Sequence, residues 1–399
     1  MRSLQGLVVL DLTHMLSGPY GTMLLADLGA RTIKVEPTGA GEGTRALLAS
    51  DPDYSMDGLG AYFLTLNRGK ESVSLDLKSE AGYAVFLDLV RCADVVFDNF
   101  GAGVTQRLKI DYETLAAVNP RIVTCSVTGF GQTGPHMHRP AFDQVVQGAG
   151  GGMSITGLPD GPPVRAGIPI GDLGGGLFGA IGVLAALTAR ERTGRGQHVD
   201  VSMLDAQISL LNYMATMHLM SGVTPDRIGN AHFVHVPYNT FRTADGYIII
   251  ACIGDPFFAL FRQVLPLPLL QDPAYAHQPA RYRDRHDIDR AIEDELMTMP
   301  SDHWLELLRA ARIPCGKVND FQEALSEPQV LARNMVVEVT LPSGKTVRMP
   351  GNPVKLSEDK DTHFSAPPTL GQDTDAVLRD LLHYSDEKRQ ALREAGAMQ

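Results

Sequence analysis

Residues 7–36 read LVVLDLTHMLSGPYGTMLLADLGARTIKVE. Residues 7–12 form a short apolar run, the pattern of a strand buried on both faces. Gly18 and Pro19 open a helix, because proline is tolerated where a first-turn N–H lacks a partner anyway, and Gly29 suits its C-terminal cap. Residues 32–36 supply a second strand. Strand, helix and strand at this spacing predict a parallel pair joined by a crossover helix.

The alternation continues outward. Residues 72–77 (SVSLDL) alternate as a third strand, Ser79 can cap a helix running to about Arg91, and residues 94–98 and 122–126 add two more strands. This pattern predicts an α/β fold whose mostly parallel sheet is covered on both faces. Sheets of this kind bind ligands at the carboxyl ends of their strands, so the loops at 13–21, 99–107 and 129–147 matter most. Further helices are expected from 177 to about 192 and from 204 to about 219, flanking a strand at 197–202. Between roughly 225 and 325 the chain turns to helices rich in Asp, Arg and Pro around a strand at 246–251, which predicts a smaller α+β domain. Residues 1–224 and 326–399 would then form the large Rossmann-like domain, ending in a strand at 346–349 and a helix from Asp373.

At 399 residues the chain exceeds one ordinary core, and 44% hydrophobic with 20% charged residues describes a globular protein. A formal net charge of −11 argues against nonspecific binding to nucleic acid or anionic membrane. Cys92, Cys125, Cys252 and Cys315 are scattered without a CxxC, so neither a metal nor a disulfide framework is indicated. The opening MRSLQGLVVLDLT is too short in its apolar part for a signal peptide, and the apolar run 177–189 is too short to span a bilayer. A cytoplasmic protein without nucleic-acid or membrane partners is expected. The turn THMLSGPYG lacks GxGxxG, and neither a P-loop nor a GxSxG elbow occurs. His136 and His138 have no acidic or Cys partner at ligand spacing and read as surface residues.

One stretch stands out chemically. Residues 167–176 read GIPIGDLGGG and set the carboxyl of Asp172 among apolar residues and glycines. Asp172 could cap the following helix. It could also be a nucleophilic carboxylate, with glycines leaving space for a bulky acyl group and free N–H groups to hold an oxyanion near a helix N-terminus. Both roles are compatible.

Eight motifs in order now point one way: LDLTHMLSGPYGTMLLADLGARTIKVEP, NRGKESVSLDLKS, DNFGAGVTQRL, SVTGFGQTGP, GDLGGG, TGRGQHVDVSMLDA, IPCGKVND and EPQVLARNM. Together they resemble the class III CoA-transferases, a family that also contains the α-methylacyl-CoA racemases, over almost the whole chain. The resemblance implies that Asp172 forms the covalent intermediate. It attacks an acyl-CoA thioester, and the resulting anhydride becomes an aspartyl-CoA thioester before an acceptor acid takes the CoA. No cofactor beyond coenzyme A, itself a substrate moiety, is implied, and no metal.

By the same resemblance His14, Met15 and Leu16 line the thiol end of CoA. Leu75, Asp76, Leu77 and Lys78, with Asn99, Phe100 and Gly101, meet its nucleotide end, and Arg107 pairs with phosphate. The turn here reads NFGAG where many relatives have NFRPG, which weakens Gly101 and Ala102 as contacts. Phe142 and Asp143 of RPAFDQ are implied to lie near the active site. Relatives form interlocked dimers, so a homodimer is expected. The segment RIGNAHFVHVPYNTFRTADGYIIIA looks like the dicarboxylate branch that uses succinyl-CoA. Arg139, Arg165, His232 and His235 are then candidates for a distal carboxylate, with structural roles equally open. Phe142 stands where the racemases have a proton-carrying His, which favours transfer between an acyl-CoA and a carboxylic acid over racemisation.

Overall fold

The opening strand lies at the middle of a six-stranded sheet. Val8–Asp11 (β1), Arg31–Glu36 (β2), Lys70–Ser74 (β3), Val95–Asp98 (β4), Val123–Thr128 (β5) and His198–Ser202 (β6) are all parallel and run in the order β3-β2-β1-β4-β5-β6. This is the doubly wound Rossmann order, and it reverses direction between β1 and β4. The computed structural model describes residues 2–359 and 364–399.

Side-chain alternation along β1 divides the core. Leu10 packs with Ile33, Val73 and Val96 on one face, under Val85, Phe86 and Leu89 of the helix Glu80–Cys92. Val9 faces the other way with Val95, Phe97 and Val127, under Leu25 of Ser17–Asp27 (α1) and Val183 of Ile170–Thr193 (α2). Burial on both faces is why these strands read as continuous apolar runs.

The helix α2 corrects the sequence reading. It begins at Ile170 instead of after Gly176, so Asp172 lies within its first turn and Pro169 is the N-cap. Glycine normally weakens a helix interior by ~1 kcal/mol per residue relative to alanine. Here packing overrides propensity. A Cβ on Gly175 would sit 2.9 Å from Val127 Cγ1, on Gly179 2.7 Å from Phe97 Cζ, and on Gly182 2.5 Å from Val199 Cγ1. The stripe seats the helix directly on the sheet. Against α1 the approach is closer still: a Cβ on Gly176 would lie 2.3 Å from Ser17 O, and one on Gly21 2.8 Å from Gly176 O. With its glycines included, the 24-residue helix is long and apolar enough to cross a membrane, and half of its most apolar window is buried here.

Other boundaries also move. The third strand ends at Ser74; Leu75 lies beyond it, its N–H donating to Glu36 O at 2.8 Å, and makes an isolated bridge to Met398. The single helix expected over 204–219 is two, Met203–Leu211 and Tyr213–Ser221, broken at Asn212 with φ 50°.

The chain divides into two units. The larger comprises residues 1–153, 165–223 and 331–399, the smaller 154–164 and 224–330. Residues 154–164, assigned from sequence to the large domain, group with the smaller unit through Gly229 N–H to Gly157 O (3.1 Å) and Arg227 to Ser154 O (3.2 Å). The smaller unit holds an antiparallel sheet of Tyr238–Arg242, Tyr247–Ala251 and Cys315–Lys317, packed by Phe258, Phe261, Ile288 and Trp304.

Candidate active site

The carboxyl end of β1 is fixed by a buried ionic cluster. Lys70 Nζ donates to Asp11 Oδ2 at 2.8 Å, Thr22 Oγ1 donates to the same oxygen at 2.8 Å, and Lys34 Nζ donates to Thr13 O at 2.8 Å. Burial would raise the Asp11 pKa, but the charges of Lys34 and Lys70 outweigh it and hold the carboxyl well below the usual range. Removing one member of such a cluster leaves a buried charge uncompensated, a loss of about 3–5 kcal/mol. The loop leaving β1 is therefore rigid at its root.

That loop is tied to the one leaving β4. His14 N–H donates to Asn99 Oδ1 at 2.8 Å, and Asn99 Nδ2 donates back to His14 O at 2.7 Å. The rings of His14 and Phe100 sit 5.3 Å apart. Burial, assisted by Lys34, lowers the His14 pKa. Met15 adopts φ 61°, a left-handed conformation unusual for its type, and turns the chain into α1.

At this point of strand-order reversal lies a cavity of about 300 Å³. His14 and Met15 line it from the first loop and Ser17 from the start of α1, Asn99, Phe100 and Gly101 from the second loop, and Met137, Arg139 and Phe142 from the segment before Asp143–Ala149 (α3). Tyr62 and Asp172 complete the part that bears chemistry.

Asp172 is half-buried, and its pKa is raised to about 6, first by desolvation and then by the charge of Asp143. Asp143 is itself the cap of α2, supplied from outside that helix. Its Oδ1 accepts from Gly171 N at 2.8 Å and Asp172 N at 3.3 Å, while Gln147 Nε2 donates to Oδ2 at 2.7 Å. The sequence reading is overturned on this point. The first-turn amides beside Asp172 are occupied, and the glycines serve close packing instead of an open approach. Helix N–H groups need partners, and a carboxylate at the positive end of the dipole satisfies them well.

Of the residues singled out from sequence, His14, Met15, Asn99, Phe100, Gly101, Phe142 and Asp172 line the cavity, and Asp143 stands behind it. Leu16, Leu75, Asp76, Leu77, Lys78 and Arg107 do not line it. Leu75 is buried in the core, and Arg107 is exposed on the helix Val104–Leu108. Arg165 is turned onto its own backbone, donating to Ala166 O and Gly167 O. In the smaller unit His232 Nδ1 accepts from the Val234 and His235 amides, a turn-forming role. His136 and His138 are exposed. Among the described residues no cluster of His, Cys, Asp and Glu could hold a metal ion.

Residues 4–374 match the family model described as CoA-transferase family III. The chain belongs to CoA-transferase family III. It is 45% identical over 360 residues to the acetyl-CoA:oxalate CoA-transferase of Acetobacter aceti, covering 90% of each chain. It is 35% identical over 400 residues to the succinyl-CoA:glutarate CoA-transferase of Mus musculus, covering 100% of this chain and 91% of that one. A CAIB/BAIF family protein from Brucella suis shares the fold with a TM-score of 0.84 at 36% identity, over 95% of this chain and 99% of that one. As a family III CoA-transferase, the protein acts on an acyl-CoA and a carboxylic acid.

Two residues of the cavity were undervalued from sequence. Tyr62 was not singled out, because nothing in the local sequence AYFLTLN marks its hydroxyl. Arg139 was one of four equal candidates. Among those four it alone lines the cavity, and none of the described ion pairs engages it.

Proposed function

We propose that Asp172 is the nucleophile of a CoA exchange between carboxylic acids. The observation that supports this most is its position: a half-buried carboxyl of pKa about 6 in the cavity at the strand-order reversal. At pH 7 such a group is roughly 90% ionised, yet it is less hydrated than an exposed carboxylate and therefore more reactive. Its oxygen attacks the thioester carbonyl, and the tetrahedral intermediate collapses to a mixed anhydride and CoA thiolate. The thiolate attacks the aspartyl carbonyl, releasing the first acid and leaving aspartyl-CoA thioester. The acceptor acid runs the same steps in reverse. Thioester is exchanged for thioester, so no ATP is consumed.

The acids are proposed to be dicarboxylic. Both relatives described above are named for dicarboxylic acceptors, and the Arg139 guanidinium lines the cavity where it suits a distal carboxylate. His14 and Met15 are proposed to contact the thiol end of CoA; Asn99, Phe100 and Gly101, which the family resemblance gave to the nucleotide end, are proposed to join them because they line the same cavity as Asp172. For Leu75, Asp76, Leu77, Lys78 and Arg107 a nucleotide-end role rests on the family resemblance alone. The active unit is proposed to be a homodimer. In support, Leu219 is 81% exposed, Met220 83% and Val223 68%, an apolar stretch that a partner would cover.

The test is incubation with acyl-CoA and hydroxylamine followed by peptide mass spectrometry. Asp172 should be derivatised, and Asp172→Ala should abolish transfer in a donor–acceptor panel. Near wild-type transfer by Asp172→Ala would sink the mechanism. Racemisation is disfavoured because Phe142 carries no proton and His138 does not line the cavity. Deuterium uptake at the α-carbon of a 2-methylacyl-CoA without CoA transfer would reverse that assignment.

A further inference from the structure

The attack proposed for Asp172 needs a donor for the carbonyl oxygen as its π electrons move onto it. The amides that a nucleophile at a helix N-terminus would ordinarily use are not available. Gly171 N–H and Asp172 N–H are bound to Asp143, and Leu173 N–H donates to Pro169 O at 3.0 Å. The Asn99 side-chain amide is engaged as well: its Nδ2 donates to His14 O and lies 3.3 Å from Ser17 Oγ. The Thr128 hydroxyl accepts from Gly131 N at 2.9 Å and is buried, with 6% of the residue exposed.

We propose that the hydroxyl of Tyr62 is the catalytic hydrogen-bond donor to the oxygen of the reacting carbonyl. This rests on the reading of Asp172 as nucleophile. Tyr62 is half-buried and lines the same cavity as Asp172, and no hydrogen bond to its hydroxyl is present among the described residues. The helix that bears it, Ala61–Asn67, is held on both sides. Phe63, Leu64 and Leu66 are buried, and Asn67 Oδ1 accepts from Lys70 Nζ at 3.1 Å, within the cluster that anchors β1. At its start, a Cβ on Gly60 would fall 2.0 Å from Leu47 O, so the backbone there is locked against its neighbour. A preorganised donor of this kind costs no reorganisation during the reaction.

Burial, and then the charge of Asp172, pushes the Tyr62 pKa up to about 12. The phenol therefore keeps its proton throughout the working range and acts as a neutral donor, never as a base. The step balances without proton transfer. The Asp172 oxygen forms the C–O bond, the carbonyl pair becomes an oxyanion held by the Tyr62 O–H, and collapse breaks the C–S bond, with CoA thiolate leaving. Arg139 lines the cavity too, but a guanidinium pairs more strongly with a full carboxylate, the role already given to it.

Tyr62→Phe tests the proposal, since it deletes one oxygen and keeps the ring packing. Turnover should fall about 10²–10³-fold, with KM for acyl-CoA changed less than about threefold and thermal stability retained. The first-order formation of hydroxylamine-trapped Asp172 should slow by the same factor. Trapping at Asp172 within threefold of the wild-type rate would remove Tyr62 from the mechanism while leaving the nucleophile in place. Full activity in the parallel Asp172→Ala control would instead overturn the nucleophile, and Tyr62 with it. A loss of turnover in Ser17→Ala that matches the expected Tyr62→Phe loss, with Tyr62→Phe unaffected, would move the donor to Ser17.

Discussion

Asp143 Oδ1 accepts the backbone N–H of Asp172 at 3.3 Å while its charge opposes ionisation of the Asp172 side chain. One carboxylate thus positions another and makes it harder to ionise.

The first prediction concerns pH. With Asp172 at about 6, kcat/KM should fall about tenfold per unit below pH 6. Asp143→Asn removes the charge but keeps an acceptor oxygen, so the acid limb should shift to lower pH. It should not return to the ordinary Asp range, because burial is the larger cause of the shift. The exchange leaves an amide facing Gln147 Nε2, for an added stability loss of about 1 kcal/mol. An unmoved limb in a pH–rate profile would contradict the coupling.

A second prediction follows from the same pKa. Asp172 is raised from 3.8 to about 6 on folding, so the fold penalises its ionised form. Two units correspond to about 3 kcal/mol at most. Partial exposure and the favourable helix terminus reduce this, so Asp172→Asn should stabilise the protein at pH 7 by about 1–2 kcal/mol. The sign can be read from the titration. Above pH 6 the penalty is fully present; it shrinks as pH falls through 6 and vanishes below about 4. Urea titrations at pH 7.5 and pH 4 should show the advantage only at the higher pH.

The third prediction weighs propensity against packing. Gly176→Ala gains ~1 kcal/mol of helix propensity. Its Cβ would meet Ser17 O at 2.3 Å, and backbone cannot yield as a side chain can. Overpacking of this kind costs about 1–3 kcal/mol or more, so the net effect is destabilising. Activity should fall too, because Ser17 and Asp172 line one cavity on the two helices being forced apart. Gly101→Ala, with nothing within 4 Å of its Cβ, should change stability by less than about 0.5 kcal/mol. Thermal denaturation and initial rates of both variants decide the point.

Much of this was legible in the sequence. The parallel sheet announced itself through short apolar strands at βαβ spacing, and Ser79 caps its helix as read, accepting from Gly82 N. Asp172 stood out because a carboxylate among glycines and aliphatics has few uses beyond a helix cap. The glycines themselves were misread. Local propensity treats GDLGGG as a helix breaker, whereas each missing Cβ answers a neighbour from a distant part of the chain, such as Val127 or Ser17. Tyr62 was hidden for the same reason. It reaches Asp172's cavity only through tertiary folding, and its hydroxyl leaves no periodic trace. Leu75 to Lys78 were placed by motif, and edge strand β3 lies two strands from β1, away from the reversal point.

The mutual approach of Gly21 and Gly176 also governs how this scaffold can change over generations. No side chain larger than hydrogen fits at either position without separating α1 from α2. The seat of Asp172 is therefore closed to gradual drift, since every first mutational step there passes through a less stable protein. Phe142, 70% exposed, and Arg139 face no such backbone limit. New acid preferences should arise by exchange along residues 137–142, while the packed helix start that carries Asp172 is inherited unchanged.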